Sequence, residues 1–198
     1  KARRHKIDDE IYFRNLKDNN LYLYRLNDID RKKAILDLIS SEEKTLLNEK
    51  SLHLGWSVVD PKTVEKYIAS LNEMGVDKIT FIYSDYSQKN FKVNIEKLEK
   101  ILINSSCQCG RSNIIKLDVC KNIETFIKEN SDTYFLDFSN VSINEKCDEI
   151  KTLVIGCEGG FSAKEREKFN KENIVGFNSS LILRSETAII SAGSKILL

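Results

Sequence analysis

Short apolar runs alternate with segments of helical spacing along most of this chain. From Leu52 to Val58 every second residue is apolar, which predicts a strand, and Val64, Ile68 and Leu71 then recur on one helix face. The succession continues to the C-terminus, with further strands predicted at residues 79–83, 114–117, 134–138 and 153–155. Strands that alternate with helices favour a mostly parallel sheet covered on both faces. We therefore expect an α/β domain over residues 49–198.

The first 48 residues have a different pattern. Three short strand-like runs are present, at residues 7–13, 21–26 and 34–39. The last of these is ambiguous, because residues 31–36 also fit a helix. We expect residues 1–48 to form a small β-rich module, and the polar residues 40–51 to be a linker or a strand that leads into the second domain.

Composition narrows the class of protein. The 198 residues are 41% hydrophobic and 31% charged with a net charge of +1, so an acidic partner would have to meet a local basic patch. No run approaches the roughly 18 apolar residues of a membrane span. The chain begins at Lys1 rather than at Met, so we expect the natural N-terminus to be missing.

Cysteine and histidine usage argues against a metal site. Five cysteines are spaced irregularly, and His5 and His53 are the only histidines. Cys107 and Cys109 lack the spacing and the second pair of a zinc knuckle. We expect reduced, mostly buried thiols in a cytoplasmic protein.

A glycine-rich turn follows the predicted strand at residues 153–155. Gly156, Gly159 and Gly160 allow a sharp turn and leave room for a ligand against bare backbone. Ser162 and Glu165 have the spacing of a capping box, which predicts a helix start. In open α/β sheets ligands bind where strands end, so this turn is a candidate site.

A second strand-to-helix junction is predicted at residues 181–188. The apolar run 181–183 is interpreted as a strand, and Ser185 as the N-cap of the last helix. Two such junctions side by side would form adjoining walls of one pocket. Taken singly, Glu186 also fits a first-turn acid favoured by the helix dipole, and Arg184 a surface salt-bridge partner.

Neither junction matches a familiar phosphate-binding loop. Gly193-Ser194-Lys195 has the wrong order for a Walker loop, and the glycines from Gly156 to Gly160 come too late in the sheet for a dinucleotide fingerprint. ATP and NAD are therefore poor candidates.

Together the two stretches resemble a specific family. IGCEGGFS at 155–162 and LILRSETA at 181–188 are similar to the IGPEGG(F/L)S and LGxRILRxETA patterns of the RsmE family of SPOUT methyltransferases. CQCGR at 107–111 is similar to the family's EQCGR segment, and NEMGV at 72–76 to its ATELGV helix ending. The resemblance extends over essentially the whole chain.

The resemblance implies an N-terminal PUA-like β-barrel and a C-terminal SPOUT α/β domain with a trefoil knot. It also implies a homodimer with the active site at the subunit interface. The implied reaction is methyl transfer from S-adenosylmethionine to N3 of a uridine in 16S ribosomal RNA, within the assembled small ribosomal subunit.

The resemblance also implies a set of cofactor-binding residues. These are Leu136, Ile155, Gly156, Glu158, Gly159, Gly160, Ile182, Leu183, Arg184 and Thr187. Some positions depart from the family pattern: Cys157 replaces proline, Ser179 replaces glycine, Leu181 replaces a basic residue, and Asp137-Phe138-Ser139 replaces a loop that ends in proline.

N3 of uracil is a poor nucleophile until it loses its proton, so a base and a cation beside O2 or O4 would assist the reaction. Our hypothesis is that Arg184 stabilises the developing uracil anion. Glu158 or Glu186 would accept the N3 proton or orient the base. The competing view is that both acids are structural and that the proton leaves to solvent.

For RNA binding, the basic cluster near the N-terminus supplies Arg3, Arg4 and Lys6 as candidates, and the family resemblance adds Arg111, after the second helix of the α/β domain. A solvated surface remains an alternative for the N-terminal cluster, and a helix-end capping role for Arg111. Another SPOUT enzyme acting on tRNA or a ribose hydroxyl, and a non-catalytic RNA-binding protein, are the rival functions.

Overall fold

The computed structural model describes residues 5–198, which fall into two compact units. The first consists of the described part of residues 1–47 together with residues 110–113. It contains three antiparallel strands in the order β1-β2-β3: β1 (Glu10–Phe13), β2 (Asn20–Ile29) and β3 (Ala34–Glu43). The strand interpretation of residues 34–39 is thus confirmed, and the strand continues into the predicted linker. Closure of this sheet into a barrel remains a prediction.

The second unit, residues 48–109 and 114–198, holds a six-stranded sheet in the order β6-β5-β4-β8-β7-β9. All its strand pairs are parallel. The strands are β4 (His53–Ser57), β5 (Lys78–Ile82), β6 (Lys116–Cys120), β7 (Thr133–Leu136), β8 (Thr152–Ile155) and β9 (Ile174–Val175). The predicted α/β class is confirmed, and the trefoil knot remains a prediction.

Six α-helices connect or follow these strands. They are α1 (Pro61–Glu73), α2 (Ile95–Cys109), α3 (Ile123–Glu129), α4 (Ile143–Lys146), α5 (Ala163–Arg166) and α6 (Ser185–Leu197), and a 3-10 turn spans Lys171–Asn173. Local sequence explains their starts: Asp60 caps α1 ahead of Pro61, and Ser162 forms the predicted capping box with Glu165. Gly75, at φ +96°, ends α1 in the left-handed region.

Side-chain alternation along the strands places the core on both faces of the sheet. Leu54 and Trp56 are fully buried in one cluster, while Val154 belongs to the other. Gly55 lies between Leu54 and Trp56 in sequence, and a Cβ at this position would come within 2.8 Å of Val154 Cγ2. The centre of the sheet is therefore packed too tightly for a side chain at this position.

A buried polar network joins α1 to α2. The Asn72 side-chain amide donates to the hydroxyls of Ser105 and Ser106 at 3.2 and 2.9 Å, and its carbonyl oxygen accepts from the Ile115 backbone at 3.2 Å. Asn72 is fully buried. Part of the family-like NEMGV segment therefore serves packing rather than chemistry.

The cysteines are free, as expected, but their burial differs from the prediction. Only Cys120 and Cys157 are buried, whereas Cys107 and Cys109 are exposed. The exposed pair lies in the last turn of α2, where a run of three exposed residues ends the helix.

The prediction of a strand at residues 181–183 is wrong. These residues form a loop, and the Leu181 and Ile182 side chains are 76% and 82% exposed. The sheet already ends at β9, and the chain must leave that edge to reach α6, which packs against α1. Ser185 is likewise not the N-cap: Arg184 holds that position, without a side-chain capping bond.

Candidate functional site

The glycine turn after β8 is folded back on itself. The Gly160 backbone N–H donates to the Cys157 carbonyl at 2.9 Å, and Gly160 lies at φ +67°. A Cβ at Gly156 would come within 3.0 Å of the Gly160 Cα. Because that neighbour is backbone, this turn requires glycine at position 156.

The start of α6 is tied directly to this turn. The Ser185 hydroxyl donates to the Gly156 carbonyl at 2.6 Å and accepts from Trp56 Nε1 at 3.0 Å. All three residues are buried. The two predicted junctions therefore lie side by side, although the second is a loop rather than a strand end.

A cavity of about 700 Å³ lies beside the two junctions. Most of the residues predicted to bind a cofactor line it: Leu136, Ile155, Gly156, Glu158, Gly159, Gly160, Ile182 and Leu183. The loop after β7, the segment between β9 and α6, and individual residues of the glycine turn, α5 and α6 supply the rest of its wall. A cavity of this volume is in the range of small-molecule sites.

Three predicted site residues stand at the start of α6 and are not among the residues that line the cavity. Arg184 and Thr187 are exposed, and Glu186 is half-buried. Of the two acids considered as proton acceptors, only Glu158 lines the cavity, and its side chain is exposed.

An ion pair in the cavity wall was not predicted. Arg166, at the end of α5, donates from Nε and one terminal nitrogen to the two carboxylate oxygens of Asp137, at 2.5 and 3.0 Å. Both residues line the cavity, and the Asp137 side chain is 10% exposed. The hydrogen bonds to Asp137 raise the pKa of Arg166. The sequence showed that Asp137 departs from the family pattern, but it gave no sign that Asp137 pairs with Arg166, 29 residues away.

The loop after β5 is hydrogen-bonded to the segment that follows the glycine turn. The Asp85 backbone N–H donates to the Glu165 carboxylate at 2.9 Å, and the Ser162 hydroxyl donates to the Asp85 carboxylate. Glu165 also accepts from the Ser162 backbone at 2.8 Å. These bonds connect the loop to the start of α5, the helix that follows the glycine turn.

The candidate RNA-binding residues are placed only in part. Arg3 and Arg4 lie outside the described residues, and Lys6 is exposed in the first unit. Arg111 is 6% exposed, and its Nε donates to the Asn113 side chain at 2.6 Å. Burial favours the structural alternative for Arg111 over direct contact with RNA.

Residues 5–198 lack two kinds of feature. They contain no group of three or more His, Cys, Asp or Glu side chains that could hold a metal ion. Within the same range, none of the helices combines the length and the apolar character that crossing a membrane requires.

Comparison with known proteins agrees with this geometry. A family model described as an RNA methyltransferase domain matches residues 47–197. The chain is 38% identical to the ribosomal RNA small subunit methyltransferase E of Helicobacter pylori strain 26695, over 98% of this chain and 87% of the relative. It is 28% identical to the protein of that name from Aquifex aeolicus, over 96% and 86%.

Solved structures share the fold. The Neisseria gonorrhoeae ribosomal RNA small subunit methyltransferase E, solved bound to S-adenosyl methionine, has a TM-score of 0.82 at 17% identity, covering 96% of this chain and 83% of that one. A predicted RNA methyltransferase from Thermotoga maritima has a TM-score of 0.74 at 25% identity, covering 98% and 85%. With the matched family model and the similarity along its length, this chain belongs to the ribosomal RNA small subunit methyltransferase E family of RNA methyltransferases.

Proposed function

We propose that this protein transfers the methyl group of S-adenosylmethionine to N3 of a uridine in the 16S ribosomal RNA of the small ribosomal subunit. The observation that carries the proposal is the cavity beside Gly156 and Ser185, whose hydrogen bond fixes two family-like segments against each other. The names of the relatives supply the substrate class.

The lining suits a cofactor that has an adenine and a sulfonium but no phosphate. Leu136, Ile155 and Leu183 provide apolar surface, and the glycine turn presents backbone donors and acceptors. Arg166, a cation in the lining, is already paired with Asp137, which leaves it poorly suited to clamp a phosphate. S-adenosylmethionine supplies an electrophilic methyl group when it is bound.

The chain's own residues would act on the uracil. Glu158 lines the cavity, so it is better placed than Glu186 to accept the N3 proton or to orient the base. Arg184, exposed ahead of α6, is the cation that we assign to the developing charge on O2 or O4. Its exposure leaves it available to an RNA or to a partner subunit.

A second copy of the chain is part of the proposal. The segments that line the cavity carry large apolar side chains in water: Phe138 is 77% exposed, Leu181 76% and Ile182 82%. Grouped exposure of this kind is typical of an interaction surface. We assign this surface to the interface of a homodimer. Light scattering of the purified protein would measure its oligomeric state. We also propose that the enzyme acts in the cytoplasm.

Small ribosomal subunits from a strain that lacks the gene provide the test. N3 methylation blocks the Watson–Crick edge of uracil, so reverse transcriptase should stop at the modified position. We expect the stop to be missing from these subunits and to return after incubation with purified protein and S-adenosylmethionine. A stop already present without the gene would refute the proposal.

Three variants test the residue roles. We expect Glu158→Gln and Arg184→Ala to lose most of the methyl transfer at unchanged melting temperature. Glu167→Gln, an exposed acid that follows α5, is the matched control and should behave as wild type. Full turnover in both test variants would remove the proposed roles and leave proton loss to solvent.

A further inference from the structure

Tyr86 is an exposed aromatic residue on a rigid turn beside the glycine turn. The turn consists of residues 84–87 after β5, and its ends are buried: Ser84 is 1% exposed and Ser87 6%. The Ser87 backbone N–H donates to the Ser84 carbonyl at 3.0 Å, and the two hydroxyls lie 2.9 Å apart. Tyr86, in contrast, is 56% exposed.

Further contacts hold this turn against the candidate site. Asp85 is bonded through its backbone to Glu165 and through its carboxylate to Ser162. The Ser84 hydroxyl lies 3.9 Å from the Cys157 sulfur, in the glycine turn itself. The position of Tyr86 is therefore set by buried polar contacts on both sides of its own residue.

The Tyr86 ring lies against Gly159. A Cβ added to Gly159 would come within 3.2 Å of both Cβ and Cδ2 of Tyr86, and Gly159 lines the cavity. Tyr86 is not itself among the residues that line the cavity, but its contact with Gly159, which does line it, puts the ring at the cavity's edge.

An aromatic ring whose backbone is anchored and whose side chain is left in water is suited to receive another flat group. Enzymes that modify a base inside RNA take that base out of its stack. Extruded and single-stranded bases are commonly received by aromatic side chains. Hydrophobic burial does not account for Tyr86, because more than half of its surface remains accessible.

We propose that Tyr86 is the stacking platform for the uridine, or for the nucleotide next to it, at the entrance of the methyl-transfer cavity. The inference rests on the proposed function and adds a substrate-positioning residue to it. Because stacking needs the ring and not the hydroxyl, Tyr86→Phe should retain the function and Tyr86→Ala should lose it.

The experiment compares wild type, Tyr86→Phe, Tyr86→Ala and a control, Gln88→Ala, which changes another exposed residue of the same loop. Steady-state kinetics with unmethylated small ribosomal subunits as substrate give kcat and KM for each protein. The Kd of each protein for these subunits is measured without turnover. Calorimetry gives the Kd for S-adenosylmethionine, and light scattering gives the oligomeric state.

We expect Tyr86→Ala to raise KM and Kd for the subunits by about 5- to 150-fold, the range for loss of one aromatic stack. The phenylalanine variant and the control should stay within about twofold of wild type, and the Kd for S-adenosylmethionine should not change. Equal losses in Tyr86→Phe and Tyr86→Ala would overturn stacking in favour of the hydroxyl.

Other outcomes also overturn the inference. Unchanged KM and Kd for the subunits in Tyr86→Ala would show that the ring does not contact RNA. Weakened cofactor binding alone would assign Tyr86 to support of the glycine turn, and dissociation of a dimer would assign it to a subunit interface. Absence of methyl transfer by wild type would refute the proposed function instead, and the Kd ratios for the subunits would still test Tyr86.

Discussion

Ser185 and Gly156, 29 residues apart, are joined by a 2.6 Å hydrogen bond from the Ser185 hydroxyl to the Gly156 carbonyl. The same hydroxyl accepts from Trp56 in the central strand β4. One buried oxygen therefore fixes the start of α6, the glycine turn and the middle of the sheet. The cavity depends on this junction, because both Gly156 and Ser185 line it.

Removal of this hydroxyl should weaken the fold and the site together. Ser185→Ala leaves the Trp56 N–H and the Gly156 carbonyl without their partner, and each buried unsatisfied group costs about 1–3 kcal/mol. We expect a loss of about 2–4 kcal/mol in the free energy of unfolding, measured by urea titration, and weaker binding of S-adenosylmethionine.

The control for this variant is Ser191→Ala, at a half-buried position on the same helix. We expect it to change the free energy of unfolding by less than about 0.5 kcal/mol. Equal stability of the two variants would show that the Ser185 hydroxyl does not hold the junction.

Two glycine substitutions should have opposite effects. In Gly156→Ala the new Cβ meets backbone atoms of Gly160 at 3.0 and 3.1 Å, so the turn must open at a cost of about 1–3 kcal/mol. In Gly193→Ala, inside α6, the nearest atoms are Met74 Cε at 3.5 Å and Leu71 Cδ2 at 3.7 Å, an ordinary contact. Higher helix propensity should then add about 0.5–1 kcal/mol.

Thermal unfolding of both variants and calorimetric titration with S-adenosylmethionine would measure these effects. Only Gly156→Ala should lose affinity for the cofactor, because Gly193 is not among the residues that line the cavity. A stable Gly156→Ala protein with wild-type cofactor affinity would contradict the geometry of the turn.

The Asp137–Arg166 pair should act as one unit. The contact is bidentate, but the Arg166 side chain is 43% exposed, which weakens the ion pair. We therefore expect a coupling free energy between the two residues of about 1 kcal/mol, which corresponds to roughly fivefold in the Kd for S-adenosylmethionine. Asp137→Asn, Arg166→Gln and the double variant form a mutant cycle. If the pair positions the cavity wall, each single variant should weaken binding, and the double variant should be no worse.

A neighbouring ion pair supplies the control. Lys168 contacts Glu124 on α3, and neither residue lines the cavity. Lys168→Gln should therefore leave the Kd for S-adenosylmethionine unchanged. Strictly additive losses in the Asp137 and Arg166 cycle would argue that the two residues act independently.

His53 should make stability depend on pH. Burial, assisted by the positive charge of Lys78, lowers the pKa of His53 to about 4 from an ordinary 6.5. The unfolded chain therefore takes up the His53 proton more readily than the folded protein does. The contribution of His53 to folding stability is then complete above about pH 6.5 and is lost as the pH falls toward 4. Since His53 is only half-buried, we expect it to contribute about 1–2 kcal/mol to the free energy of unfolding.

Urea titrations between pH 7 and pH 4 on wild type and His53→Gln would measure this contribution. Glutamine can still bond to Thr80, which lies 2.8 Å from the His53 Nε2. The free energy of unfolding of wild type relative to His53→Gln should fall as the pH falls, because only wild type carries the His53 contribution. The carboxylates contribute equally to both proteins and cancel in this difference. A constant difference over this range would show that His53 does not titrate as expected.

The fold was predictable where the sequence pattern is periodic. Apolar alternation at Leu54 and Trp56, and helical spacing at Val64 and Ile68, predicted β4 and α1, and all four side chains are buried. The capping pair Ser162 and Glu165 predicted the start of α5. These signals are local, so they survive without knowledge of the tertiary structure.

The errors arose where local pattern and tertiary position disagree. Leu181 and Ile182 have the composition of a strand but lie past the edge of the sheet, exposed. The Asp137–Arg166 pair and the support of the glycine turn by Asp85 depend on which loops meet in space, and no spacing in the sequence indicates that. Arg111, for which the family resemblance favoured a site-lining or RNA-facing role, is buried in the structure.

The Asn72 amide has a consequence for divergence within this family. One side chain serves hydroxyls on α2 and the backbone ahead of β6, so a replacement must satisfy three partners at once. Homologues that lose this asparagine should carry compensating changes at the positions of Ser105 and Ser106. Joint substitution at these sites would mark lineages whose helices have repacked while the reaction stayed the same.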